Sequence, residues 1–146
     1  MDSRLFIDDS CFACGKKNSS GLKLDIQRQE EKVNHCFRKV AAAEITFFKE
    51  FQGYGGVVHG GILSTVLDEL MIYALFFEDI PTVTAKMEIT FKKKVKVGEM
   101  MKGRGWIVKV REKTALAESE LLNSQNQIVA VGRGIYVKVN DVVKLS

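Results

Sequence analysis

Two adjacent carboxylates, Asp68 and Glu69, stand in the middle of a long apolar segment that covers residues 62–77. Apolar side chains recur there at helical spacing and cover more than half of the circumference, which predicts a helix buried nearly all round. A carboxylate on such a helix is costly unless a partner or a ligand faces it. The narrow polar sector, in which Ser64 and Thr65 accompany the two acids, is therefore a candidate site.

A glycine-rich turn, residues 52–61, leads directly into this helix. Glycine lets backbone approach a ligand closely, and the first N–H groups of a helix are unpaired at the positive end of its dipole. His59 stands at the predicted helix start as either a general base or a structural histidine, and the sequence favours the structural role. The turn has only G-x-G, with Val58 in place of the third glycine, and lacks Gly-Lys-Ser/Thr, so dinucleotide and P-loop folds are excluded.

The composition limits the class of protein. A chain of 146 residues with 46% hydrophobic residues is expected to form one globular domain over residues 1–146. The N-terminus has no basic start followed by an apolar run, so no signal peptide is expected, and acids interrupt the longest apolar run, so no membrane association is expected. Three cysteines do not make a disulfide framework, which favours a cytoplasmic location.

Cys11 and Cys14 form a C-x-x-C followed by Gly15, which is half of a zinc site. No second C-x-x-C and no paired histidine follows, and the adjacent His35 and Cys36 are poorly spaced to complete it. We therefore expect a turn with two semi-buried thiols, and neither a metal nor another cofactor.

Strand-like segments lie on both sides of the helix. Residues 22–26 alternate as a half-buried strand, and residues 33–40 are predicted to pair with them across a polar turn at residues 28–32. Residues 42–48 are read as a loop or a strand. After the helix, four strands are predicted at residues 82–91, 101–110, 114–122 and 128–139, with hairpin turns at residues 111–113 and 123–127.

One helix cannot cover both faces of a doubly wound parallel sheet, so that class is excluded. The predicted class is α+β, with an antiparallel sheet wrapped around one central helix. A lysine run, Lys92–Lys94 with Lys96, follows the first of the later strands. It has no interleaved aromatic platform, so nucleic acid binding is not expected.

The central motif also resembles a known family. Residues 58–69, Val-His-Gly-Gly-Ile-Leu-Ser-Thr-Val-Leu-Asp-Glu, resemble the HGG-to-Asp signature of hotdog-fold acyl-CoA thioesterases of the PaaI-like, phenylacetate-pathway type. Residues 84–91, followed by Val97-Gly98-Glu99, are similar to the strand after the helix in that family. Residues 11–15 and 21–24 resemble the lead-in of one branch. The resemblance extends from residue 11 to about residue 139 and implies a hotdog fold.

This resemblance implies hydrolysis of an acyl-CoA thioester to a free acid and CoA, without a metal or organic cofactor. The backbone N–H of Gly60 is implied to polarise the thioester carbonyl, and Asp68 to act as nucleophile or general base. Thr84 matches a hydroxyl residue that assists the attacking water, and Gln52 lies about where the family has a residue that orients the thioester or water. Glu69 is a rival for the role of the acid, because some hotdog thioesterases use a glutamate.

Other residues are candidates for contact with the CoA and acyl parts of the substrate. Basic side chains suit the phosphates of CoA, and aromatic side chains near the helix suit an acyl pocket, although core packing competes with that role. The candidates are His59 and Gly61 at the helix start, Lys92, Lys93, Lys94, Arg104 and Arg111 for the phosphates, and Tyr73, Phe76 and Phe77 for the acyl group.

The helical rise adds a constraint on assembly. Gly60 and Asp68 are eight residues apart, which is roughly 12 Å along one helix. Because both must come within about 3 Å of one thioester carbon, Asp68 is expected to act with Gly60 of a second copy. The sequence therefore predicts a homodimer with active sites at the subunit interface, and leaves open a further pairing into a tetramer.

Two alternatives to the thioesterase remain from the sequence. One is a non-catalytic acyl-CoA-binding or regulatory module, against which stands Asp68, an expensive residue for a site that only binds. The other is a hydratase or dehydratase acting on acyl thioesters. It is disfavoured because His59 has no carboxylate near it within its own motif.

Overall fold

The computed structural model describes residues 8–139, in which an antiparallel sheet wraps around one long helix. The strand order is β1-β2-β4-β5-β6-β3, and every neighbouring pair is antiparallel, so β1 and β3 are the edges. This is the predicted α+β architecture. The elements are β1 (Gln27–Val33), β2 (Cys36–Thr46), α1 (Gly60–Phe76), β3 (Thr82–Phe91), β4 (Met100–Val110), β5 (Thr114–Leu122) and β6 (Ile128–Lys138).

The helix α1 supplies the centre of the core. Seven of its side chains are buried, and they pack against the inner face of the sheet. Gly103 and Gly105 lie on this face of β4, where a Cβ atom on Gly105 would be only 2.6 Å from the backbone oxygen of Leu70. The helix backbone therefore approaches β4 more closely than any side chain would allow. Within residues 8–139, no helix has the length and apolar character needed to span a membrane.

The first hairpin differs from the prediction. Residues 22–26 form no strand, and the polar residues 28–32, predicted as a turn, are the middle of β1. The alternation of apolar and polar residues failed here because β1 is an edge strand whose side chains are mostly exposed on both faces. The actual turn is the two-residue Asn34-His35, whose φ angles of 51° and 68° suit a tight hairpin connection.

The remaining predictions agree with the structure to within a few residues. The ambiguous segment at residues 42–48 is largely the second half of β2. Two of its alanines are buried: Ala43 packs in the main core, and Ala42 packs in a smaller cluster with Trp106 of β4. All four strands after the helix are confirmed, with connections at residues 111–113 and 123–127. The helix begins at Gly60 and not at residue 62, because Gly60 and Gly61, the last two residues of the turn, already adopt helical conformation.

The contact between Leu70 and Gly105 yields a first prediction. Gly105→Ala is expected to destabilise the protein by about 1–3 kcal/mol, because the new methyl group must push the helix backbone away from β4. Urea unfolding at one fixed protein concentration measures this change. Gly55→Ala is the control, since nothing lies within 4 Å of a Cβ at that position. Equal stability of the two variants would contradict the proposed role of this contact.

Candidate active site

Two hydroxyl groups from neighbouring strands hold the carboxylate of Asp68. Thr84 Oγ1 on β3 donates to Asp68 Oδ1 at 2.9 Å, and the hydroxyl of Tyr136 on β6 donates to the same oxygen at 2.8 Å. Thr84 and Tyr136 are directly opposite each other in the β3–β6 ladder. Asp68 Oδ2 accepts no hydrogen bond from residues 8–139. One oxygen is thus fixed, and the other is left for a ligand or water.

The environment of Asp68 affects its ionisation in two opposite directions. Burial raises the pKa of Asp68 above its ordinary value, and the hydrogen bonds from Tyr136 and Thr84 counteract part of that rise. Burial, followed by the charge of Asp68, raises the pKa of the Tyr136 hydroxyl, so it remains protonated and donates. The arrangement gives a carboxylate that is more basic than an exposed one and is held in one orientation.

Tyr136 is the functional residue that the sequence reasoning missed. Gly132 and Gly134 precede it at alternating positions of β6 and therefore share its face of the sheet. A Cβ on Gly134 would lie 2.5 Å from the Tyr136 ring, so that glycine provides the room for the aromatic side chain. The G-x-G-x-Y pattern in a strand was the available signal. Its link to Asp68 depended on the strand order, which periodicity does not reveal.

A β-bulge directs Thr84 in the same region. The register of the β3–β6 ladder shifts between Thr84 and Lys86, so Ala85 is the extra residue on β3. A bulge changes the direction of neighbouring side chains and is common near functional sites. The prediction that Thr84 works with the helix carboxylate is consistent with the observed hydrogen bond.

Glu69 lies in a different environment from Asp68. Its carboxylate points about 100° away from that of Asp68 around the helix axis. It is grouped with the thiols of Cys11 and Cys14, with the three donor atoms within 4.8 Å of one another. Burial raises the pKa of Glu69, a hydrogen bond from Cys14 lowers it, and the charge of Asp68 raises it. The thiol of Cys14 has its pKa raised to about 12, chiefly by burial. The two adjacent acids therefore serve two separate clusters.

The helix start has the predicted free donor. His59 is the N-cap of α1, and its Nδ1 accepts the N–H of Gly61 at 2.9 Å, which confirms its structural role. The N–H of Gly60 has no acceptor among residues 8–139. Gln52 Oε1 accepts from the N–H of Gly56 at 3.1 Å and so supports the glycine turn just before the helix.

Lys92 and Lys93 lie near this helix start. Together with Lys94 they line a cleft of about 310 Å³, whose other walls include Gly60 and Phe91. A positively charged cleft beside a free backbone N–H is suited to an anionic group. The structure therefore brings together the predicted lysines and the predicted donor.

Two arginines named as candidates lie elsewhere in the chain. Arg111 is in the β4–β5 turn, at the end of β6 opposite to Lys92 and roughly 26 Å from it at about 3.3 Å per residue. Arg104 is engaged by Glu120 at 2.6 Å and by Glu31 at 3.5 Å. Within one chain, neither arginine shares a surface with the lysine cleft.

The aromatic candidates form a cluster at the end of the helix. The Tyr73 ring centroid lies 5.9 Å from that of Phe76 and 5.6 Å from that of Phe77. Phe77 and Ala74 line a cleft of about 320 Å³. These contacts belong mainly to packing, as the sequence interpretation allowed.

Comparisons with known proteins agree with this geometry. Residues 55–130 match the model of the thioesterase superfamily. A candidate esterase of Archaeoglobus fulgidus is 28% identical over 101 residues, which cover 69% of this chain and 66% of that protein. The chain therefore spans slightly less than two thirds of the length of this relative.

Many solved structures resemble this fold, and two of them illustrate the similarity. The Escherichia coli PaaI protein from the phenylacetic acid degradation operon has a TM-score of 0.71 at 21% identity, over 82% of this chain and 81% of that one. A hypothetical thioesterase of Streptococcus pneumoniae, in a structure with coenzyme A, has a TM-score of 0.70 at 16% identity, over 80% of this chain and 88% of that one. Mutants of the streptococcal protein, with an aspartate or a threonine replaced by alanine, are also known structures.

These likenesses confirm the predicted hotdog fold. The family model covers more than half of the chain, including the helix start, Asp68 and Thr84. The resemblance inferred from residues 58–69 is thereby confirmed, and the protein belongs to the thioesterase superfamily.

Proposed function

We propose that the protein hydrolyses an acyl-CoA thioester to a free acid and CoA, with Asp68 as the catalytic base. The observation that carries this proposal is the pair of hydroxyls that fix Asp68 Oδ1 and leave Oδ2 unbonded within residues 8–139. In the streptococcal thioesterase, the aspartate and the threonine chosen for mutation are 16 positions apart, as are Asp68 and Thr84. That coincidence supports the assignment of these two residues to one site.

The proposed reaction needs only groups of the protein and water. Asp68 Oδ2 removes a proton from a water molecule, and the water oxygen bonds to the thioester carbon. The carbonyl oxygen gains negative charge in the tetrahedral intermediate, and the N–H of a Gly60 stabilises it. The carbonyl double bond re-forms, the carbon–sulfur bond breaks, and the CoA sulfur leaves with the electron pair. It takes up the proton held by Asp68, which restores the carboxylate. Thr84 and Tyr136 keep the base oriented throughout.

The half-sites are proposed to meet across an edge of the sheet. Within residues 8–139, β3 is an unpaired edge ten residues long, and it exposes Val83, Met87 and Phe91. One end of this strand contacts Asp68 through Thr84, and the other end packs beside Gly60 through Phe91. If β3 pairs antiparallel with β3 of a second copy, the Phe91 end of one strand lies beside the Thr84 end of the other. The partner's helix start would then face Asp68, which completes the site.

CoA is the proposed carrier of the acyl group for two reasons. The lysine cleft beside Gly60 offers three ammonium groups for phosphates. The streptococcal relative binds coenzyme A, and a Streptococcus mutans protein of similar fold is known bound to acetyl-CoA. Rates measured on a panel of acyl-CoA esters would identify the preferred acyl group.

The first test of this proposal is the removal of the base. Asp68→Asn keeps an acceptor for Thr84 and Tyr136 but cannot take a proton, so kcat is expected to fall by about 10²–10⁴-fold. Release of free thiol from a panel of acyl-CoA esters measures the rate, and Asp79→Asn at an exposed turn is the control. If Glu69→Gln loses activity and Asp68→Asn retains it, the catalytic carboxylate is Glu69 and the assignment of Asp68 is wrong. Binding of acyl-CoA without thiol release by the wild-type protein would favour a binding module.

The pH dependence tests the role of Tyr136. Its hydrogen bond lowers the pKa of Asp68, so Tyr136→Phe is expected to raise that pKa. Because the base must be deprotonated, the acid limb of the kcat/KM profile should move to higher pH. Phe37→Tyr, which adds a hydroxyl at an exposed position of β2 away from Asp68, is the comparison variant for a changed aromatic residue. An acid limb that stays in place, or moves to lower pH, would contradict the role of Tyr136.

Mixing of two inactive variants tests the shared site. Gly60→Pro removes the N–H while keeping a residue that is favoured at the first helical position, and the extended conformation of His59 is compatible with a following proline. After exchange of subunits with Asp68→Asn in equal amounts, about half of the dimers are mixed, and each mixed dimer holds one intact site of two. About a quarter of the wild-type activity is therefore expected. Activity no greater than the sum of the separate variants would contradict a site shared between subunits.

A further inference from the structure

A second cluster of potential ligands lies one residue from the proposed base. It consists of the Cys11 and Cys14 thiols and the Glu69 carboxylate, and we call it the thiol–carboxylate cluster. Its three donor atoms lie within 4.8 Å of one another. The cluster joins two parts of the chain, the N-terminal lead-in before β1 and the central helix α1.

The backbone around the two cysteines is a tight turn. The N–H of Gly15 donates to the carbonyl oxygen of Cys11 at 2.9 Å. A Cβ on Gly15 would be 2.2 Å from the Asp9 oxygen and 2.4 Å from the Cys11 nitrogen, so only glycine fits. This turn points both thiols towards the same place. A C-x-x-C turn is the means by which many structural zinc sites present two thiolates from one segment.

Glu69 provides the third donor from a separate element. It is partly buried on a mostly apolar helix, and it forms no salt bridge within residues 8–139. The adjacent Asp68 adds a second negative charge on the same helix turn. Buried carboxylates are usually paired or bound to a metal. A cation at this cluster would supply the missing positive charge.

We propose that Cys11, Cys14 and Glu69 bind one zinc ion, with water as the fourth ligand. Two sulfur donors and one carboxylate oxygen form a donor set that zinc accepts in proteins. The two thiols lose their protons on binding, and the resulting three negative charges are largely balanced by the two positive charges of the ion. The donor distances allow this geometry after a small inward movement of the side chains.

The structural consequence of zinc binding would be a metal-mediated cross-link between the lead-in and the helix α1. Residues 8–26 form no strand and are attached to one another by turn hydrogen bonds, such as that from Leu22 N–H to Phe12 O at 2.8 Å. A metal bond from Cys11 and Cys14 to Glu69 would anchor this segment directly on α1. The sequence interpretation favoured a structural turn over zinc because it sought the remaining ligands only among cysteines and histidines.

The first experiment measures metal binding by the full chain. The reduced, metal-free protein is titrated with Co²⁺, whose coordination by thiolates produces a charge-transfer band in the near ultraviolet. We expect one equivalent per chain, displacement of the band by Zn²⁺, and a rise in Tm with added Zn²⁺. Absence of the thiolate band together with absence of zinc in protein expressed in zinc-supplemented medium would overturn the proposal. A purely oxygen-ligated cobalt spectrum would overturn it as well.

Substitutions identify the ligands. Cys14→Ser and Glu69→Gln are each expected to weaken zinc binding by at least about tenfold, whereas Cys36→Ser, at the exposed third cysteine, is expected to leave it unchanged. An unaltered affinity and cobalt spectrum in Glu69→Gln would overturn the assignment of the carboxylate. Loss of zinc binding in Cys36→Ser would show that the zinc site includes Cys36, and it would overturn the proposed set of ligands.

A measurement on the wild-type protein keeps the proposal testable if a variant does not fold. Zinc should slow the alkylation of Cys11 and Cys14 but not of Cys36, as followed by mass spectrometry of the digested protein. Equal alkylation rates with and without zinc would overturn the proposal. Catalytic activity does not enter this experiment, so its outcome is independent of the proposed thioesterase function.

Discussion

The close approach of α1 to the inner face of the sheet is the constraint on which the rest of the structure depends. Gly103 and Gly105 remove the side chains of β4 where the helix backbone passes at Leu70. On β6, Gly132 and Gly134 leave room for side chains instead, namely those of Ser119 and Met71 and the Tyr136 ring. A helix that lies this deep in the curved sheet brings its polar sector to the strands, and this depth lets Tyr136 and Thr84 reach Asp68.

The strand order then determines what one chain lacks. β3 is the last strand of the chain's own sheet, and it carries Thr84 near one end and Phe91 near the other. Its apolar side chains remain exposed, although an unpaired edge of this length is normally protected in some way. The distance between Gly60 and Asp68 along α1 also implies a second copy, because one helix cannot bring both groups to the same thioester carbon. Both observations support the proposal that the site is completed by a second copy.

Adjacent acids on one helix serve different surroundings because a helix turns by about 100° per residue. Asp68 faces two hydroxyl groups, which stabilise a single carboxylate orientation. Glu69 faces two thiols from the lead-in, which is the basis of the proposed zinc site. Their proximity links the two proposals in space, since an anchored lead-in would also restrain the helix turn that carries Asp68. Burial raises the pKa of both acids.

The sequence by itself determined the central helix and the four strands after it, and it singled out Asp68, Thr84 and Gly60 as candidate site residues. Strong periodicity and a specific local motif carry that information without reference to distant residues. Only the tertiary structure decided the path of β1, because an edge strand exposed on both faces has no hydrophobic alternation. It also decided the partners of the two acids. Tyr136 and Cys14 are far from the helix in sequence, and only strand order and the packing of the lead-in bring them to it.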